Sequence, residues 1–217
     1  MDTFNSVFSV IILLSAIMLM ASKRIKSYIT GLRMQAVFIA AVTCVTGISR
    51  IAERGGIDLL VISAVIVAMK IVYIPHMLHK TWASVEHRVE KDFLLNIPIL
   101  VMVSCGIVVL TYFSLSAVGS FTGTTLTLLV NSISIVLIGL FFIISRKKAI
   151  GQIVGLLEIE NGLFVTALFA TDGLPFIVDM GIFVDIITSV LILGSMVFKI
   201  NERFESIDID RLNKLKG

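Results

Sequence analysis

Seven stretches of this chain are long and apolar enough to cross a lipid bilayer, and that leaves few folds open. A helix crossing about 30 Å of hydrocarbon needs about 20 mostly apolar residues. Such runs lie near 4–21, 33–50, 57–75, 93–114, 122–144, 149–171 and 175–198. They are continuously apolar rather than alternating with period two, which excludes a β-barrel and predicts an all-α integral membrane protein. Composition agrees: 57% of the 217 residues are hydrophobic and the mean hydropathy is +1.03, more than a soluble core needs.

Basic residues give the expected orientation, because cytoplasmic loops carry the Lys and Arg excess. Loop one holds Lys23, Arg24, Lys26 and Arg33, loop three Lys80, Arg88 and Lys91, loop five Arg146, Lys147 and Lys148, and the tail Lys199, Arg203, Arg211, Lys214 and Lys216. The alternate loops hold only Arg50 and Arg54. The sequence therefore predicts seven transmembrane helices with the N-terminus outside and the C-terminus cytoplasmic. The net charge of +3 is dispersed in these clusters rather than gathered on one basic face, so no nucleic-acid partner is indicated. The first run lacks a basic segment before it and reads as a retained helix rather than a cleaved leader.

The uncharged link Ser116 to Thr125 divides the chain into a four-helix part, 1–118, and a three-helix part, 119–200, followed by a charged amphiphilic tail, 201–217. Cys44 and Cys105 fall within apolar runs and read as small packing residues. No internal repeat of the kind that builds alternating access is visible, which argues against a lone small-molecule transporter.

The last two runs carry four acids, Glu158, Glu160, Asp179 and Asp185, and an earlier run carries Lys70. An acid at the bilayer centre costs about 2.5–3.5 kcal/mol on insertion scales, so each demands an explanation. At 1.5 Å per residue, Glu160 lies about 16 Å and Asp185 about 15 Å below the outer helix ends, Asp179 about 6 Å and Lys70 about 20 Å. Glu160 and Asp185 are thus expected to meet near the midplane as a proton-transfer pair, with Asp179 on the outer side and Lys70 and Glu158 extending or modulating the inner side. Glu158 and Glu160 are separated by about 200° around a helix and face different neighbours. The competing reading is a buried Lys–Glu or Lys–Asp bridge that fixes how helices pack. A single bridge uses one acid and leaves the others to be protonated, hydrated or paired across a subunit boundary.

Gly151, Gly155 and Gly162 around these acids mark a close helix contact. Pro75 is expected to end or bend the third helix just beyond Lys70, with a helix terminus the favoured reading, and Pro98 and Pro175 sit near helix starts. His76, His79 and His87, with Glu86 and Glu90, follow the third run on the cytoplasmic side. His76 and His79 are candidates for taking protons in, and the set is too sparse for a zinc site. No catalytic triad, phosphate loop or cysteine cluster appears, so no catalytic residue, metal ligand or cofactor-binding residue is assigned.

The segment 145–162, with Gln152, Gly155, Glu160, Asn161 and Gly162, resembles the R-Q-x-x-G-x-x-x-x-E-N-G signature of hydrogenase-4 component E proteins. Lys70 through Pro75 is similar to their K-x-x-x-x-P element, Asp179 through Asp185 to their acidic-x-G-x-x-x-D pattern, and Asp208 through Gly217 to their ending. The region of about 120–200 also resembles the K subunit of respiratory complex I and the C subunit of Mrp-type cation antiporters. Aligning the shared Asn with Asn161 puts the first Glu of those subunits at Leu157, one turn from Glu160, so the charge here is displaced along the same face.

The resemblance implies a noncatalytic subunit of a group 4 NiFe-hydrogenase or formate hydrogenlyase complex in the cytoplasmic membrane. Its partners would be antiporter-like and other membrane subunits together with the lipid bilayer. The chain itself would bind no cofactor, the nickel–iron and iron–sulfur centres lying in partner subunits. Redox energy released there would drive proton or sodium movement past the buried acids. Two alternatives stay open, a structural anchor of the same complex and a subunit of an Mrp-type Na⁺/H⁺ antiporter.

Overall fold

The computed structural model describes residues 2–54, 58–83, 96–119, 121–146 and 149–170. The expected seventh helix with Asp179 and Asp185, the charged tail, and His87, Glu86 and Glu90 lie outside these. Among the described residues the chain is all-helical, with six helices long and apolar enough to cross a membrane. These are α1 (Asp2–Ala21), α2 (Ile25–Arg54), a compound third span, α5 (Ile97–Val118), α6 (Gly123–Ser145) and α7 (Ala149–Ala170). The third span is built from α3 (Asp58–Ile66), a π-helical segment Val67–Tyr73 and α4 (Ile74–Ala83).

Several boundaries differ from expectation for local reasons. Helix α2 starts at Ile25 rather than near 33, because the long stems of Lys26 and Arg33 can lie along a helix while their charged ends reach out. Helix α5 is shifted about four residues toward the C-terminus. Asn96 is extended and Pro98 occupies the first turn, where a missing N–H removes nothing. Its far end runs through Ser116 to Val118, so the link to α6 is shorter than the expected 116–125, and Gly119 stops the helix at φ 70°, a left-handed conformation suited to glycine.

Pro75 does not end the third helix. The helix continues to Ala83, and the segment just before the proline widens instead: the Ile74 N–H donates to the Met69 carbonyl, an i to i−5 bond. Proline cannot donate to the preceding turn and its ring crowds it, so a wider turn accommodates what a regular α-helix would not. Lys70 stands in the middle of this π segment and is buried. Cys105 is exposed on α5 and Cys44 is half-buried, so Cys105 is not a core packing residue.

Helices α6 and α7 form the closest pair, and glycine makes the approach possible. A Cβ on Gly139 would stand 2.8 Å from the Ile159 backbone nitrogen, one on Gly155 3.0 Å from the Gly139 carbonyl oxygen, and one on Gly162 2.7 Å from the Val136 backbone nitrogen. The small residues at helical spacing thus put two backbones in direct contact. Helix α6 also packs on α1 and α5, while α2 touches α1, the third span and α7. The apolar core runs through this bundle, with Ile12, Met20, Ile39, Leu100, Ile135, Ile138, Phe142 and Val154 almost wholly enclosed.

Arg146, expected only to mark the cytoplasmic side, is 2% exposed. Its Nη2 donates to the Met20 carbonyl at the end of α1 (2.9 Å), and its guanidinium lies 4.3 Å from the Phe142 ring centre and 5.4 Å from that of Tyr28. A cation at a helix C-terminus and over two aromatic faces ties the ends of α1, α2 and α6 together. Arg146→Ala is therefore expected to destabilise the chain by about 2–4 kcal/mol. Arg146→Lys keeps the charge without the planar stacking and falls in between. Thermal unfolding of the purified chain in lipid nanodiscs measures both.

Candidate functional site

The buried charges converge where α2, the third span and α7 meet. Lys70, on the π segment, forms an ion pair with Glu160 of α7, Nζ to Oε1 2.5 Å. The two residues reach this level from opposite directions. Lys70 is eleven residues past Leu59 and Glu160 ten residues before Ala170, so each lies about 15–17 Å from its span end. Both are shielded from surroundings, at 8% and 4% exposure.

The same lysine begins a chain of hydrogen bonds. Lys70 Nζ donates to Asn161 Oδ1 (2.9 Å), Asn161 Nδ2 to Gln35 Oε1 (2.6 Å), and Gln35 Nε2 to Glu158 Oε1 (2.7 Å), with a longer bond to the Ile12 carbonyl (3.5 Å). Lysine can only donate, so its bond fixes the orientation of the Asn161 amide, which fixes that of Gln35. Every donor therefore points away from the cation and toward the second carboxylate. One lysine thus serves both acids, Glu160 directly and Glu158 through two amides. Glu158 and Glu160 do face different helices, as their two-residue spacing requires, yet they belong to one network.

The amides orient rather than carry protons, because neither has an acidic or basic group near neutral pH. Open capacity lies on the acids: the outer oxygens Oε2 of Glu158 and of Glu160 are buried without a hydrogen-bond partner. A buried acceptor left in this state favours a proton or a water molecule. A narrow cleft reaches the network, lined by Lys70 and Asn161 and by Leu32, Pro75, Leu78 and Leu157. It runs toward the ends of α2 and α4 that border the expected basic loops. His76 and His79 are exposed on α4, and the cleft wall is formed by Pro75 and Leu78 in their place.

Sequence reasoning alone does not mark Gln35 and Asn161 as network members. A signal exists for Gln35, since an amide inside an apolar run raises the same question as an acid. Its depth and partner depend on how α2 packs. Ser9 and Asn131, joined by a buried bond from Asn131 Nδ2 to Ser9 Oγ (2.9 Å), are a second polar pair of this kind between α1 and α6. Among the described residues no group of three or more His, Cys, Asp or Glu is placed to hold a metal ion.

The two acids and Asn161 of this site lie on α7, within the part of the chain that matches a known family. Residues 127–217 match the NADH-ubiquinone/plastoquinone oxidoreductase chain 4L family. The chain 4L-like part covers most of α6, all of α7 and the residues beyond, and contains Glu158, Glu160 and Asn161 but neither Lys70 nor Gln35. Along nearly its full length the chain is similar to uncharacterized protein Rv0085 of Mycobacterium tuberculosis, 25% identical over 98% of this chain and 99% of that protein. No solved structure matches it. At Leu157, where the complex I K subunit resemblance places a Glu, the side chain is buried and borders the cleft beside Asn161. The acid one turn along, Glu160, meets the lysine.

Proposed function

We propose that this chain is a noncatalytic, multi-pass subunit of a respiratory membrane complex of the group 4 NiFe-hydrogenase type, and that its buried network passes protons at the bilayer midplane. The observation that carries this reading is the single directed network Lys70, Asn161, Gln35 and Glu158, with Glu160 paired to the same lysine. Two acids sharing one cation are electrostatically coupled: protonating either frees the lysine to serve the other. The chain 4L match supports a place in a respiratory complex. In this reading the chain crosses the cytoplasmic membrane seven times with its N-terminus outside, and Asp185 and Asp179 of the last helix continue the path laterally and outward. Antiporter-like subunits flank it, and nickel–iron and iron–sulfur centres remain in other subunits.

The test uses the assembled complex in inverted vesicles. Glu160→Gln, Glu158→Gln and Asp185→Ala are each expected to abolish redox-driven proton uptake while activity toward an artificial electron acceptor persists. Normal uptake in all three variants sinks the assignment.

A structural anchor is the second reading, and the Lys70–Glu160 pair favours it, because a buried bridge is what a packing role alone would require. Loss of complex assembly in these variants, with pumping per assembled complex unchanged, would select the anchor.

A further inference from the structure

The midplane network touches α1 at one atom, the Ile12 carbonyl, which accepts the long bond from Gln35. One turn nearer the start of α1, about 4.5 Å of rise away, stands Ser9, fully buried and bonded to Asn131 of α6. A further turn on is Asn5, whose Oδ1 is enclosed with no hydrogen-bond partner. Asn5, Ser9 and Ile12 are spaced at i, i+4 and i+7 and so share one face of α1. Across the helix contact, Ser134 lies one turn from Asn131 on α6; it is 0% exposed and its hydroxyl also lacks a partner. Together with Glu158 Oε2, three enclosed oxygens with no protein partner are distributed along one line of polar groups.

Enclosed polar atoms in this state are met by water in folded proteins, typically by molecules making two to four hydrogen bonds. Here such water would find donors and acceptors at each turn.

We propose that the polar face of α1, with Asn131 and Ser134 of α6, is a water-binding passage joining the Gln35–Glu158 end of the network to the membrane face where α1 begins. With the cleft beside Lys70 and Leu78 directed toward the other face, the chain then holds polar access from both sides to one pair of carboxylates. The passage extends the proton-transfer reading above, but hydration itself is measured without reference to pumping.

The experiment is cysteine accessibility in the full chain in its native membranes, on a Cys44→Ala, Cys105→Ala background. A charged, membrane-impermeant methanethiosulfonate is applied to either face. Ser9→Cys and Ser134→Cys are expected to react at least tenfold faster than Leu140→Cys, which faces outward from the bundle, and only from the face where α1 begins. Adding Asn131→Leu should slow both. Reaction no faster than Leu140→Cys, while the exposed helix-start position Thr122→Cys labels fully, overturns the passage.

Radiolytic hydroxyl-radical labelling of the unmodified protein gives a second readout that needs no variant. Phe8, beside Ser9, and Phe113 of α5 both lie five residues from the ends of their spans. Phe8 is the better shielded of the two, Phe113 being 65% exposed. Greater modification of Phe8 supports the passage; modification confined to Phe113 refutes it. Labelled Ser9 and Ser134 positions alongside normal pumping in the Glu160 and Glu158 variants would keep the passage and reject the proton-transfer function, so the two failures are separable.

Discussion

Lys70→Met is expected to cost the folded chain about 3–5 kcal/mol, the penalty for leaving a buried charge without its partner. Glu160 sits at 4% exposure with Lys70 as its ion-pair partner, and Asn161 Oδ1 accepts from the same ammonium. Removing the lysine therefore strands a carboxylate and breaks the orientation of both amides. Glu160→Leu alone strands the ammonium, with a loss of similar size. Lys70→Met combined with Glu160→Leu replaces the ion pair by apolar groups of similar volume, and most of the stability is expected to return. Chemical unfolding of the chain in nanodiscs gives the three values, and their coupling is the difference between the double loss and the summed single losses.

The double variant also separates the two functional readings. A chain that recovers its stability and assembles but moves no protons has lost chemistry rather than packing. If redox-driven uptake returns together with stability, the pair serves only to dock the third span on α7, and the relay role falls.

The second large effect concerns the α6–α7 contact. Gly162→Leu should prevent the two helices from closing, because even the first added carbon falls 2.7 Å from the Val136 backbone nitrogen and 3.1 Å from Ile135 Cγ2. A flexible side chain could move aside, but a helix backbone can yield only by moving as a unit. Gly162→Ala is expected to cost about 1–3 kcal/mol, as overpacking of a tight interior does, and Gly162→Leu to leave little folded protein. Asn161 and Glu160 precede this glycine directly, so a displaced α7 also pulls the network apart. By contrast, a Cβ added at Gly106 of α5 would meet nothing within 4 Å, and Gly106→Leu should change stability little. Comparing folded yield and unfolding midpoint for the three variants checks the contrast.

Much of this site was legible in the sequence because hydrocarbon enforces simple rules. Spans must be long and apolar, and a charge inside one is conspicuous, so Lys70, Glu158 and Glu160 could be named without coordinates. Counting residues at a fixed rise set Lys70 about 20 Å and Glu160 about 16 Å from the outer helix ends, whereas the third span, beginning at Leu59, brings the two to nearly one level. The glycines near the acids announced a close contact through their four-residue spacing, and Gly155 and Gly162 indeed meet the α6 backbone.

Other features were hidden because they depend on a neighbour. The widened turn around Lys70 arises where Pro75 meets a helix that packing keeps intact, whereas local chemistry alone favoured termination. Arg146 reads in the sequence as one more positive-side charge. Its enclosure against Met20, Phe142 and Tyr28 depends on the ends of three helices arriving at one place. Gln35 is an isolated amide until α2 is laid against α7.

The sequence by itself determined that the chain is helical and membrane-embedded, and which residues carry unexplained charge, since backbone hydrogen bonding and the cost of charge in lipid act on each span separately. Only the tertiary structure decided that Lys70 pairs with Glu160, that two amides connect that lysine to Glu158, and that a cleft reaches them. Those outcomes depend on the rotation and pairing of helices, set by side-chain packing between spans distant in sequence.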